Sequence, residues 1–315
     1  MTVISLATTM ERNTPAVPAS SAASKVTSLA VVSAAAVASN AATNATDTAV
    51  KMQAATQARA KLHAVLFRLL PPLLGMMLFI GLWALIAQST PNLPGPVKTW
   101  RSAVILFSDP FYQKGPNDQG IGWNILNSLQ RVGMGFGMAA IIGIPLGFMI
   151  GRFAFLNRMT SPIISLLRPV SPLAWLPIGL MVFKAAGPAA IWVIFISSIW
   201  PMIINTAVGV SRVPQDYMNV ARVLNLSEWT ILTRILFPAT LPYVLTGIRL
   251  AIGVAWLVIV AAEMLTGGIG IGFWVWDEWN NLNMEHIIIA IFIVGIIGLL
   301  LEQVLLLLAK RFDYQ

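Results

Sequence analysis

The chain has 315 residues, of which 57% are hydrophobic and 10% charged, and its mean hydropathy is +0.78. An ordinary soluble domain carries roughly 25% charged residues, so this composition excludes one and points to a membrane protein. Without cysteine there is no disulfide framework, thiolate metal site or cysteine nucleophile, and the net charge of +8 punctuates the ends of apolar segments, as membrane orientation requires, instead of forming a nucleic-acid-binding stripe.

Residues 1–60 are dominated by Ala, Ser, Thr and Val, too few large side chains to pack a core, and are expected to be a disordered or loosely helical cytoplasmic tail. Arg12 and Lys25 ahead of the run Leu29 to Ala38 imitate a signal peptide, but that run is weakly apolar and the tail is expected to stay uncleaved. The rest, residues 61–315, is the transmembrane domain. Crossing the hydrocarbon core takes about 20 apolar residues. Six stretches qualify: Leu66 to Ala87, Val132 to Gly151, Pro162 to Phe183, Pro188 to Val210, Leu241 to Leu265 and Ile287 to Ala309.

Span one opens with Pro71 and Pro72, where a bend is expected. Ser89 to Gln130 follows outside, with an amphipathic helix over Val97 to Phe107, anchored by Trp100 and suited to docking a partner. In span two, Gly143, Gly147 and Gly151 repeat every fourth residue, with Gly133 and Gly137 earlier, so a close helix–helix contact within the fold is expected. Span three holds Pro162, Pro169, Pro172 and Pro177, which predict a broken helix lining a cavity. In span four, Ser197, Ser198, Asn205 and Thr206 are the polar side chains, expected to bond across helices. The loop Thr266 to Asn281 lacks the Lys and Ser/Thr of a phosphate-binding loop and reads as an external re-entrant turn.

Charge gives the orientation. Lys51, Arg59, Lys61, Arg68, Arg152, Arg158, Arg212, Arg222, Arg234, Lys310 and Arg311 fall on one side of a six-span layout, which the positive-inside rule makes cytoplasmic, both termini included. Asp109, Asp118, Asp277, Glu278 and Glu285 fall on the other, with Lys98, Arg101 and Lys114. Ionisable groups inside spans are functional candidates because lipid exposure is costly. Arg168 and Arg249, with Trp175 and Trp256, are therefore candidates for the substrate path, whereas Glu263 would repel an anion and is expected to be a structural partner.

Residues 211–240 form the long polar interruption between spans four and five. Pro214 and Asp216 suit a helix start, and Tyr217, Val220, Ala221 and Leu224 recur on one apolar face. Asn225 suits the left-handed corner after the helix, Ser227 caps a second helix with Glu228 behind it, and Pro238 is expected to stop or kink that helix.

This stretch resembles the signature loop of bacterial ABC importer permeases, Glu-Ala-Ala, three residues, Gly and a later Pro. Here Asn219, Val220 and Ala221 stand at the first three places, Asn225 at the Gly and Pro238 at the Pro. SLQRVGMGF, LRPVSPLAWLP, GIRLAIGVAWLVIVAAEML and GGIGIGF are similar to the nitrate, sulfonate and bicarbonate branch of these permeases. LPGP, DPFY and the run from Asn219 to Leu224 look most like its nitrate-type members. The resemblance implies a type I ABC importer permease fold, all α-helical with six transmembrane helices, in the bacterial inner membrane. It also implies a second permease copy, two cytoplasmic ATPase subunits and a periplasmic or lipid-anchored solute-binding protein.

The chain has no G-x-x-x-x-G-K-[ST], and His63 and His286 stand alone. It is therefore expected to bind no cofactor and to be no enzyme, with ATP and Mg on the partner subunits. In this reading the knob carrying Val220, Ala221 and Leu224 sits in an ATPase cleft, oriented by Arg222 and Asn225, and Asn219 to Ser227 couple ATPase closure to the spans. The cargo is nitrate or nitrite, with bicarbonate, cyanate or sulfonate as alternatives. A self-sufficient carrier or channel is the rival of another class.

Overall fold

The computed structural model describes residues 67, 69–115 and 118–312. The expected tail over residues 1–60, and the basic residues Lys51, Arg59, Lys61 and Arg68, lie outside them. The described residues divide into two units, one ending at Ile80 and the other beginning at Gly81. The described residues are almost entirely helical: α1 Leu69–Ser89, α2 Pro96–Leu106, α3 Ile121–Arg152, α4 Ala154–Leu167, a 3₁₀ turn Pro172–Trp175, α5 Leu176–Phe183, α6 Ala186–Ser211, α7 Gln215–Val223, α8 Glu228–Thr266, α9 Ile271–Asn280 and α10 Met284–Phe312. Among them α1, α3, α6, α8 and α10 are long and apolar enough to cross a membrane, and α4 with Pro172–Phe183 makes a sixth span if that pair, bent by 95°, counts as one.

The bend in span three has the predicted cause. Pro169 and Pro172 remove two backbone donors, and Ser171, ahead of Pro172, is extended with ψ at 129°, while Arg168, ahead of Pro169, stays helical. Elsewhere the prolines act differently. Pro71 and Pro72 lie in helical backbone near the described start of α1. Pro238 does not stop its helix: α8 runs 39 residues from Glu228, and Ile231–Leu236, just before the proline, are wound as a π-helix.

Glycine sets the close approach of α3 to α6. A Cβ on Gly135 would lie 2.7 Å from the Ile194 Cβ, on Gly147 2.6 Å from the Thr206 Cβ and on Gly151 2.6 Å from the Val210 Cβ. These positions, with Gly143 and the fully buried Ala139, bring the α3 backbone against α6. Gly133 and Gly137 would meet nothing within 4 Å, so the packing stripe runs through Gly135 and not through them. Early α3 meets early α6 and late α3 meets late α6, so the two helices run parallel and residues 154–183 carry the chain back along the bundle. In contrast, α8 is antiparallel to α6: Gly209 meets Tyr243 and Gly247 meets Asn205.

Three expectations are corrected. The second spanning helix begins at Ile121 and not at Val132, because Asn124, Ser128 and Arg131 find partners inside the protein. The stretch after Thr266 is a turn only through Gly270, held by Gly267 and Gly268 at φ 76° and 92°; from Ile271 it is a helix whose Ile271 and Trp274 are buried. On α6, Ser197 and Asn205 bond back to the carbonyls of Ile194 and Pro201 at 2.8 Å each, not across helices, while the buried hydroxyls of Ser198 and Thr206 make no hydrogen bond.

Candidate functional site: coupling loop and transport path

The short helix α7 ends as its sequence dictates. Asn225 takes φ 49°, the Leu226 N–H donates to the Ala221 carbonyl at 3.0 Å, and the Asn225 N–H donates to the Arg222 carbonyl at 3.1 Å. This is the paired-bond ending that a left-handed residue permits, and Asn supplies it where Gly is commoner. The Ser227 hydroxyl then accepts from the Thr230 N–H at 3.2 Å and starts α8. Pro214 lies just outside α7, one place earlier than expected. Behind the corner, Glu228 pairs with Arg152 at the end of α3, at 3.0 Å.

The apolar face of α7 divides in two. Val220 and Leu224 are 58% and 62% exposed, and Tyr217 is exposed beside them. Ala221 is only 1% exposed and packs with Phe148, Val210, Val213, Ile231, Leu236 and Val244. Ala221 therefore belongs to the seat of the helix and not to the projecting knob. Asn219 and Arg222 are exposed and touch weakly, at 3.5 Å.

Two cavities meet at the broken span. One, of about 420 Å³, lies between the bend, α6 and α8 and is lined by Arg168, Ser171, Ser197, Trp200, Asn205 and Leu250 among others. The other, of about 760 Å³, lies between α4 and α6. They share Arg168, Pro169 and Ile204, and neither is lined by a carboxylate. Arg168 caps α4 and has no ion-pair partner among the described residues.

The other candidates separate from this path. Arg249 donates to Glu302 on α10 from Nε at 2.9 Å and also from Nη2, so its charge is already matched. Trp256 is 3% exposed, donates to the Val294 carbonyl at 2.9 Å and packs on Gly298; it lines neither cavity, being filled in between α8 and α10. Trp175, half-buried in the 3₁₀ turn, lines neither cavity either.

Glu263 is the structural partner expected, but its partner was not foreseen. Arg131 Nη1 donates to Glu263 Oε1 and to the Ile269 carbonyl at 2.6 Å each, Ser128 donates to Oε2 at 2.7 Å, and the Gly272 N–H reaches Oε2 at 3.1 Å. Asn124 and Ser128 accept from the Gly270 and Ile271 N–H groups at 2.9 Å. The glycine turn is thus tied to α3 and α8 by one buried network.

At the same end, the DPFY segment folds over the start of α3. The Gly122 N–H donates to the Pro110 carbonyl at 2.7 Å, and Trp123 Nε1 to that of Phe111 at 2.9 Å. Partial burial and the neighbouring Asp118 carboxylate push the Tyr112 phenol above its ordinary pKa, so it stays neutral. Lys98 of α2 pairs with Glu285 of α10.

Residues 143–314 match the family described as binding-protein-dependent transport system inner membrane component. The chain is 48% identical over 244 residues to the nitrate import permease protein of Leptolyngbya laminosa, a match covering 78% of this chain and 88% of that protein. It is 45% identical over 247 residues to the bicarbonate transport system permease protein of Synechocystis sp., covering 77% and 88%. A solved inward-facing structure of the MetNI methionine ABC transporter matches with a TM-score of 0.54 at 14% identity, over 60% of this chain and 94% of that one, and so shares the fold. Such relatives are permease subunits and not enzymes. The chain belongs to the inner-membrane components of binding-protein-dependent transport systems, the permease subunits of ABC importers.

Proposed function

We propose that the chain is the permease subunit of an ATP-driven importer of nitrate or nitrite. The observation that carries the substrate class is the pair of neighbouring cavities that share unpaired Arg168 in their walls, with no carboxylate in either lining. A fixed positive charge with no carboxylate beside it favours a small anion and disfavours a cation. The similarity to nitrate import permeases supports the choice of anion.

Six crossings with both termini cytoplasmic fit this reading. The parallel course of α3 and α6 supports counting the bent pair as a return across the membrane, and Arg152 beside Glu228 puts two basic loops at one end of the bundle. Two copies form the path, two cytoplasmic ATPase subunits grip the exposed Tyr217, Val220 and Leu224 of each α7, and a periplasmic or lipid-anchored receptor delivers the anion. The chain itself binds no cofactor; ATP and Mg belong to the ATPase subunits.

The test is uptake of labelled nitrate by the reconstituted complex with its receptor. Uptake that depends on ATP and stops with an inactivated ATPase is expected. Gradient-driven uptake by this chain alone would instead make it a carrier. A second cargo, bicarbonate, is favoured by the 45% identity to a bicarbonate permease, and competition between nitrate and bicarbonate at the receptor decides between them.

A further inference from the structure

The larger cavity continues from Arg168 to a second arginine, Arg212, at the end of α6. We propose that it is a second anion station, resting on the anion-import reading above, in which Arg212 receives the anion from Arg168 and α7 controls its release.

The lining fits that ligand. Thr160 and Ser211 turn their hydroxyls back to the Leu156 and Ala207 carbonyls at 2.8 and 2.9 Å, but Asn157, Ser161 and Ser165 keep theirs free of protein partners, leaving one amide and two hydroxyl donors between two guanidinium groups. Two like charges on one cavity without a carboxylate repel each other, and a monovalent anion between them relieves the repulsion. Hydroxyl and amide donors replace part of its hydration shell.

Arg212 is also placed to be moved. Its guanidinium lies over the Tyr243 ring, 5.5 Å from the centroid, with Nη1 3.3 Å from the phenol oxygen, and these are contacts of modest strength. Its N–H closes α6 on the Val208 carbonyl at 3.1 Å, and α7 begins at Gln215, three residues on. The C-terminal end of α6 is the negative end of a helix dipole and by itself repels an anion; Arg212 offsets it. Displacing α7 draws Arg212 from the cavity, leaves the α6 carbonyls facing the anion and expels it. One loop therefore carries both the ATPase contact and the release step.

The experiment uses the complete complex with both ATPase subunits and the receptor in proteoliposomes, and measures nitrate imported per ATP hydrolysed in wild type, Arg212→Gln and Arg212→Lys. The expected result is a ratio about ten-fold lower for Arg212→Gln, the scale of one lost charged contact, and near wild type for Arg212→Lys, which keeps the charge. A wild-type ratio in Arg212→Gln overturns the proposal, and so does an equal loss in Arg212→Lys, which would mean a purely structural role. A wild-type complex that hydrolyses ATP with its receptor yet imports neither nitrate nor bicarbonate would overturn the anion-import reading instead.

Discussion

Arg131 and Glu263 are joined at 2.6 Å, the carboxylate 1% exposed, between the first half of α3 and the last turn of α8. Removing one member of a buried pair strands the other, at a cost of about 3–5 kcal/mol. Glu263→Ala also strands the Gly272 N–H and the Ser128 hydroxyl. We expect this variant to lose most of its thermal stability in detergent, with Glu263→Gln intermediate because its amide still accepts. Unfolding midpoints of the purified complex would show this order, and equal midpoints would refute it.

Val220 and Ala221 are neighbours with opposite duties, and the same substitution should separate them. Val220→Asp places a charge on an exposed surface, so the chain should accumulate normally while receptor-stimulated ATP hydrolysis is lost. Ala221→Asp buries a carboxylate among Phe148, Ile231 and Leu236 without a partner, costing several kcal/mol, and the chain itself should fail to accumulate. Membrane levels and ATPase rates measured side by side would decide.

Gly147→Leu should destabilise the bundle by about 1–3 kcal/mol or more, because the contacting Thr206 Cβ and Ile203 carbonyl leave no room. Gly133→Ala, facing open space, should stay within about 0.5 kcal/mol of wild type. Thermal inactivation of the two variants is the check.

Arg168→Gln should reduce nitrate imported per ATP hydrolysed by about ten-fold. Trp256→Phe, which loses the bond to the Val294 carbonyl and part of the indole packing beside Gly298, should leave that ratio unchanged and lower stability by about 1–3 kcal/mol. A transport defect in Trp256→Phe without a stability defect would return that tryptophan to the path.

What could be read in the sequence was what depends on local rules. Asn225 at the corner, Ser227 at the cap and the prolines around Ser171 act through backbone geometry a few residues long. Glycines spaced by four likewise announce a close contact, although they left open which of two registers packs. The partners joined across the fold were harder to read. Glu302 is a lone acid in an apolar span, a signal that marks a pairing without naming Arg249 as its partner. Arg131 sat at the expected edge of its span and looked like a boundary charge. Ala221 shared a helical face with Val220, and periodicity cannot tell which half of an apolar face the rest of the bundle covers.

The uninterrupted course of α8 has a mechanical consequence. At about 1.5 Å per residue, 39 residues, six of them π-wound, make a shaft of roughly 58 Å, beginning just after α7 and ending three residues past Glu263. With no loop along it to absorb a push, torque applied near Glu228 is transmitted to the glycine turn by a single covalent strut. The end of α8 that abuts α7 and the end tied to Arg131 are then two ends of one lever.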